Sequence, residues 1–372
     1  MTSTSPVPTT TSEPGGDAPA TPPAERSPGI GSKVLRAVLT QREMLLAVLL
    51  VITVGTFLYL SWAGYLTANY DRSYMASALI DLVPLAMLAL AELVVIVSGR
   101  GGIDLSVGSI VSLTAMVFGF AYGQWGWSLL ASVVLALVVG ALLGAVNGVL
   151  VAYLGFPALI ATLATYYAYA SLAVVINDQK PISGGDIAAM YSLTRSVEIP
   201  GLSGVVPPVP LGVFTFLLPT VVVVWLVVNR LTYGRRLFAI GTNDVAGTFS
   251  GVHVARTRLL AYVAAGALSG LVAVYLTAQF ASARPDAGTS GNGLALPAIT
   301  IAVLGGVAIT GGIGRVSGVV LAALLVTWLN AGILLYFEGN QGTQFQLLAL
   351  GAVLVFAALL NSWTVRRYGG TR

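Results

Sequence analysis

Of the 372 residues 56% are hydrophobic and 9% charged, far below the roughly 25% charged of a soluble domain, which excludes a soluble enzyme or binding module and predicts an integral membrane protein. The net charge of +4 does not describe a nucleic-acid surface, because the basic residues stand at the ends of apolar runs and form no patch with interleaved aromatics. With no cysteine and a single histidine, His253, there is no disulfide, no thiolate chemistry and no histidine cluster for a metal.

Residues 1–30 are rich in Ser, Thr, Pro and Gly without apolar periodicity, the composition of a disordered tail. A secretory signal has a basic start and then an apolar core, and this tail has neither, so the first apolar helix is expected to stay in the mature chain. A bilayer core of about 30 Å needs about 20 apolar residues per helix, and about ten segments qualify. They are 43–62, 74–97, 103–122, 127–153, 157–176, 211–230, 258–280, 294–310, 316–336 and 345–362. The expectation is therefore an all-α polytopic membrane domain over residues 31–372.

Alternating these helices from a cytoplasmic N-terminus leaves only Arg72, Lys180, Arg195 and Arg284 of the 18 basic residues outside. That asymmetry is the positive-inside rule, and it predicts that both termini are cytoplasmic. Two connections are long enough to meet a partner: 177–210, expected outside, and 231–257, expected inside.

Between the second and third spans, Ser98 to Met116 reads SGRGGIDLSVGSIVSLTAM. Irregular backbone with a carboxylate at membrane depth is tolerated only where it is buried in protein or lines a watery cavity, so this segment points to a transporter. Asp104 has two readings. It sits in the first turn of a helix, where the dipole favours it and it can cap free N–H groups beside Ser106 and Gly108, or it touches the substrate. Glu92 and Asp81, in the second span, suit interhelical hydrogen bonding, a protonated Glu92, or the relay of a proton-coupled carrier. No intramembrane Lys, Arg or His accompanies them to complete a relay. Tyr166, Tyr167 and Tyr169 suit either sugar stacking or the interfacial belt, and the belt is the expectation.

In the inner loop, Asn243 to Ser250 fits one or two helical turns, with Asn243 or Asp244 as cap and Gly251 as stop. Flanked by Arg235, Arg236, Arg256 and Arg258, such a helix could dock into a partner. An ordinary loop with topogenic arginines fits the position equally. GGIDLSVG at 101–108 is echoed by GGIGRVSG at 311–318. Paired glycine-interrupted segments in the two halves of a transporter point to its pathway.

These motifs resemble the permease subunits of bacterial ABC importers for monosaccharides, the ribose, xylose and galactose type. The likeness covers essentially the whole membrane region. Gly101 to Ser109 carries the family's GGIDLSVGS unbroken. Asn147, Gly148, Pro157, Thr162 and Leu163 match a second motif. Gly234, Arg235, Ala239, Ile240, Gly241, Asn243, Ala246, Ser250 and Gly251 match a third. Val303, Leu304, Gly305 and Gly306, followed by Gly311, Gly312 and Gly314, match a fourth. The chain departs from the family at Arg100 and Gly101, at Ala170 and Ser171, and at Ala295, Leu296 and Pro297.

The resemblance implies a non-enzymatic permease of the bacterial inner membrane for a small polyhydroxylated solute such as a monosaccharide; the same lineage includes autoinducer-2 and polyol permeases. It implies that Gly234, Arg235, Gly241, Asn243, Ala246, Ser250 and Gly251 form a coupling segment for a cytoplasmic ATPase. Gly101, Gly102, Asp104, Ser106, Gly108, Asn147, Gly305, Gly306, Gly311 and Gly312 would shape the translocation pathway and its gate. Further implied partners are a solute-binding protein, a second permease copy or paralogue, and membrane lipid, with no nucleic acid. The chain has no GxxxxGK[ST] phosphate loop, so ATP and Mg²⁺ are expected on a separate ATPase chain and no cofactor on this one. A proton-coupled secondary transporter using Glu92 or Asp81 is the competing reading.

Overall fold

Lipid offers backbone N–H and C=O groups no partner, so apolar runs close their hydrogen bonds internally and become helices. The computed structural model describes residues 41–368 except 199, 200, 202, 203, 205, 292 and 338. The expected tail, 1–30, lies outside the described residues. α1 is Arg42–Trp62, α2 Arg72–Ser77, α3 Leu79–Val97 and α4 Val107–Phe118, the last running on as a π-helical segment, Gly119–Gln124. α5 is Leu129–Ala152, α6 Ala158–Val175 and α7 the short Gly185–Ala189. A minimal antiparallel ladder pairs β1, Ser196–Val197, with β2, Val209–Pro210. α8 is Leu218–Asn229, α9 Thr232–Thr242 and α10 Asp244–Phe249. α11 is Val254–Gln279, α12 Ala295–Leu304, α13 Val316–Tyr336 and α14 Asn340–Tyr368.

The centre of the assembly is α3. From Leu82 to Val97 it is apolar on every face except at Glu92, the pattern of a helix enclosed by protein. Its span is 83% buried, whereas that of α1 is 11% buried, which makes α1 peripheral. α5 turns Leu130, Val134, Val138, Leu142 and Val146 outward, a face suited to lipid. Its opposite face carries Gly140 and Gly144, and α11 answers with Gly266 and Gly270. A Cβ on Gly140 would strike the Gly266 carbonyl, one on Gly144 the Tyr262 carbonyl, and one on Gly270 the Ala136 carbonyl. Two Gly-xxx-Gly faces thus bring the helix backbones together, the usual driver of helix association in lipid, where apolar burial gains nothing.

Among the described residues, seven helices are long and apolar enough to cross a bilayer, or eight if the bent pair Val213–Asn229 and Thr232–Thr242 is one span. That corrects the expected count of about ten spans. The segment expected at 294–310 forms a helix only over the ten residues Ala295–Leu304, about 15 Å at 1.5 Å per residue and half the bilayer core. Gly305 and Gly306 end it, Gly306 with φ 97°. The segment expected at 211–230 begins as a π-helix, Val213–Leu217, and turns by 66° into α9. The last expected span, 345–362, falls within α14.

The two ends of the bundle differ. At one, Tyr70 packs on Phe57 and Tyr74 and donates to the Trp328 carbonyl at 3.2 Å. Burial first, and Tyr74 second, push its phenol up to about 12, so it stays a donor. The start of α1, the α3–α4 connection, α9 to α11 and the α12–α13 connection meet at the other end.

Candidate functional site

A polar cluster sits inside the apolar assembly where the α3–α4 connection leaves helical geometry. Asp104 and Glu92 have no exposed surface, and neither do Ser106 and Asn147. Asp104 Oδ1 accepts from the Ser106 backbone N–H at 2.9 Å and from its hydroxyl at 2.6 Å. The Asn147 amide, on α5, donates to Ser106 Oγ at 2.7 Å and lies 3.4 Å from Asp104 Oδ1. Thr165, on α6, donates to Asn147 Oδ1 at 2.6 Å. Glu92 Oε2, on α3, accepts from the Asp104 backbone N–H at 3.3 Å. Four elements are therefore tied together by hydrogen bonds in a region where unpaired polar groups are costly. No ion pair among the described residues includes Glu92 or Asp104. Two oxygens at the cluster, Glu92 Oε1 and Tyr262 Oη, are buried without a partner.

Toward the end that carries α9 to α11 the backbone itself forms the joint. Gly99, Gly241 and Gly311 approach so closely that a Cβ on Gly99 would lie 2.9 Å from the Gly241 Cα, and one on Gly311 would strike the Gly99 Cα. Gly312 donates its N–H to the Val97 carbonyl at 3.0 Å. The loops after α3 and after α12 therefore meet each other and the C-terminal turn of α9. Arg42, at the start of α1, donates to the Val303 carbonyl at 3.0 Å and packs over Gly306.

From that joint the chain passes directly into α10. Asn243 caps it, its Oδ1 accepting from Val245 N–H at 2.9 Å and Ala246 N–H at 3.0 Å. Gly251, at φ 76°, ends it in the left-handed conformation that glycine adopts without strain. Val245 is 64% and Phe249 89% exposed, so a two-turn helix presents apolar side chains outward beside the exposed Arg235 and Arg236. Asp244 turns the other way: its Oδ1 lies 2.7 Å from Arg258 Nη2 and its Oδ2 lies 2.6 Å from Arg100 Nε.

The predicted pathway residues do not come together in one place. Asp104, Ser106 and Asn147 are in one hydrogen-bonded cluster. Gly102 is buried against the Val95 carbonyl, and Gly305, Gly306, Gly311 and Gly312 belong to the backbone joint or its flank. Gly108 is apart from both, packed against Gly288 in the α11–α12 connection, while Gly101 is exposed with open space around it. Of the residues expected to couple to an ATPase, Asn243, Ala246, Ser250 and Gly251 belong to α10 and its caps. Gly241 is in the joint, and Gly234 packs on the Val228 carbonyl. Asp81 lies exposed in the first turn of α3, well separated in sequence from the cluster.

Tyr169 is buried and donates to the Leu143 carbonyl at 3.1 Å, which corrects its expected place in the interfacial belt. It sits mid-helix on the face of α6 that packs on α4 and α5. Sequence reasoning missed the Glu92–Asp104 contact, Thr165 and the ion pairs of Asp244. The first two join residues far apart in the chain. The third had a signal: Arg258 follows the start of α11 by one turn and precedes a long apolar run, a poor place for a solvated arginine.

The family model for "Branched-chain amino acid transport system / permease component" matches residues 74–358. The chain is 34% identical over 331 residues to the autoinducer 2 import system permease protein LsrD of Yersinia enterocolitica, covering 88% of this chain and 93% of that protein. It is 33% identical over 293 residues to LsrD of Yersinia pseudotuberculosis, covering 77% of this chain and 83% of the relative. No solved structure matches it. The backbone joint, the polar cluster and α10 all lie inside the matched region, and the chain belongs to this family of transport-system membrane permeases.

Proposed function

We propose that this chain is the membrane subunit of an ATP-binding-cassette importer for a small, uncharged, polyhydroxylated solute of monosaccharide size. The observation that carries the reading is one contiguity. An exposed, capped helix, α10, runs backbone to backbone into the glycine loops, and one of those loops bears the buried polar cluster. Such a helix suits docking into a groove on a separate cytoplasmic ATPase, which would hold ATP and Mg²⁺. Residues 31–372 then form a single permease domain. The arginines Arg42, Arg100, Arg235, Arg236, Arg256, Arg258 and Arg315 gather at the α10 end, which supports a cytoplasmic placement of that end and of both termini. Residues 177–198 and 206–210, in the connection expected outside, would then receive a solute-binding protein, and a second permease copy or paralogue completes the pathway.

Import requires that nucleotide and solute favour different conformations. ATP-driven closure of the ATPase would displace α10, and the glycine joint would carry that displacement to the α3–α4 and α12–α13 loops. The relatives are permeases of autoinducer 2 import systems, which supports this solute class over a zwitterionic amino acid.

The test is a mild-detergent pull-down of the tagged chain from native membranes, with partners identified by mass spectrometry. Co-purification of a Walker-motif ATPase is expected, and Ala246→Trp should abolish it by spoiling the exposed face of α10. Uptake and ATPase association unchanged by that substitution would sink the assignment of α10. A second reading is favoured by the unpartnered Glu92 Oε1: a proton-coupled carrier. Its mark is uptake that collapses with an uncoupler while ATP is maintained.

A further inference from the structure

None of Arg100, Asp244 and Arg258 is among the residues by which the chain matches its family's motifs, and Arg100 stands where the chain departs from them. Asp244 is the first residue of α10, after its cap. Its two carboxylate oxygens face two arginines of opposite character. Arg258, on α11, is 1% exposed, and its Nη2 reaches both Asp244 Oδ1 at 2.7 Å and the Ser98 carbonyl at 2.9 Å. Its Nε is buried without a partner, and Asp244 is the only acidic side chain paired with it among the described residues; Asp244 Oδ2 faces Arg100 as an ion pair without a hydrogen bond. Arg100 is 64% exposed and holds φ 56°, a left-handed backbone that costs a non-glycine residue energy. Both arginines bear on one short stretch, Ser98 to Arg100, at the root of the loop that carries Asp104.

We propose that Asp244 is a positioning residue that ties the motion of α10 to the 98–106 loop, through Arg258 as a fixed arm and Arg100 as a releasable one. The proposal rests on the reading of α10 as the ATPase-docking helix. The fixed arm holds because a buried guanidinium that loses its carboxylate is left uncompensated in low dielectric. The releasable arm opens because its ion pair is screened by solvent and because release lets the Arg100 backbone leave its strained conformation. Movement of α10 then acts on Ser98 first and reaches Asp104 through the five residues Gly99 to Ile103, three of them glycine. A two-state element biased from one end is the physical requirement for coupling between distant sites.

The chain has no cysteine, so two engineered cysteines label it uniquely. Nitroxides at Thr248, on α10, and at Ile309, in the loop whose Gly311 packs on Gly99, report whether α10 and the glycine joint move as one body. The sample is the complex co-purified with its ATPase, in nanodiscs, with and without the ATP analogue AMP-PNP and Mg²⁺. The unsubstituted background should give a narrow intrachain distance peak, separate from any distances to a second labelled copy, that nucleotide leaves unchanged. Asp244→Asn should give a distribution that widens or splits on adding nucleotide, and Asp244→Glu should restore the narrow one. Arg100→Gln, at an exposed side chain, should show the same widening to a smaller extent and keeps the test open if Asp244→Asn does not fold. A distribution in Asp244→Asn or Arg100→Gln identical to the background, with ATPase bound, overturns the proposal alone. Absence of any ATPase from the unsubstituted preparation removes the docking reading and the proposal with it.

Discussion

Two parts of the molecule press backbone against backbone through glycine, and they differ in the conformation those glycines adopt. At the α5–α11 crossing, Gly140, Gly144, Gly266 and Gly270 lie inside unbroken helices. At the joint before α10, Gly99, Gly311 and Gly312 have φ of 82°, 94° and 72°. In the first case every peptide group is already bonded within its own helix, and closeness serves only to lock two rods together. In the second, the residues have left helical geometry, and the Gly312-to-Val97 hydrogen bond ties the α12–α13 connection to the last residue of α3. The same absence of a side chain therefore fixes one region and articulates the other.

The largest effect is expected where the lock is broken. Gly266→Leu must drive a side chain into the Gly140 carbonyl and the Gly144 backbone. Overpacking costs about 1–3 kcal/mol where neighbours can shift, and here the obstacle is a pair of helices. Loss of the monodisperse peak in detergent size-exclusion chromatography is the expected result; a normal profile would erase the contrast between lock and joint. Gly241→Ala adds one methyl at the joint, against the Val97 carbonyl and 2.5 Å from Gly312 N. The chain should still insert and run as a single peak, while ATP-driven uptake falls about tenfold, within the usual range of a coupling effect. Uptake at the unsubstituted rate would show that the close approach is not part of the transmission.

How far each region was legible in the sequence follows from the range of its interactions. The membrane class and most helix positions were legible because they rest on local composition. The caps of α10 were legible because Asn243 and Gly251 act within one turn of themselves. The break at 98–106 was legible because glycines and a carboxylate interrupt an apolar run. The α5–α11 lock was present as GALLG and GALSG but was passed over, since in a chain with 43 glycines the spacing alone does not name its partner. The half-length α12 was hidden because an apolar run continues through Val307 whether or not the helix does. Thr165, Glu92 and Asp244 gain their meaning from residues 18, 12 and 14 positions away, which no periodicity encodes.

Asp104→Ala separates what side chains contribute to the joint from what glycine contributes. The substitution leaves the buried Ser106 hydroxyl and N–H without their acceptor, a loss of about 1–3 kcal/mol. A lower Tm and a lower maximal uptake rate are expected, with the half-saturating solute concentration little changed. If instead apparent affinity collapsed while assembly stayed normal, Asp104 would be a substrate contact, and the loop would be binding site before it is hinge.

The smallest expected effect concerns whether the lock is held from both sides. Tyr169 bonds the Leu143 carbonyl, next to Gly144, so α6 braces α5 on the flank away from α11. Tyr169→Phe keeps the ring and removes one interhelical hydrogen bond, which in membranes averages on the order of 0.6 kcal/mol. A small drop in Tm without loss of uptake should follow, because the brace steadies a region that does not move. Tyr167→Phe, at a side chain 64% exposed, supplies the control and should leave both unchanged. An uptake defect in Tyr169→Phe larger than its stability loss would mean that the α5–α11 pair shifts during transport, and that the glycine lock is itself a moving part.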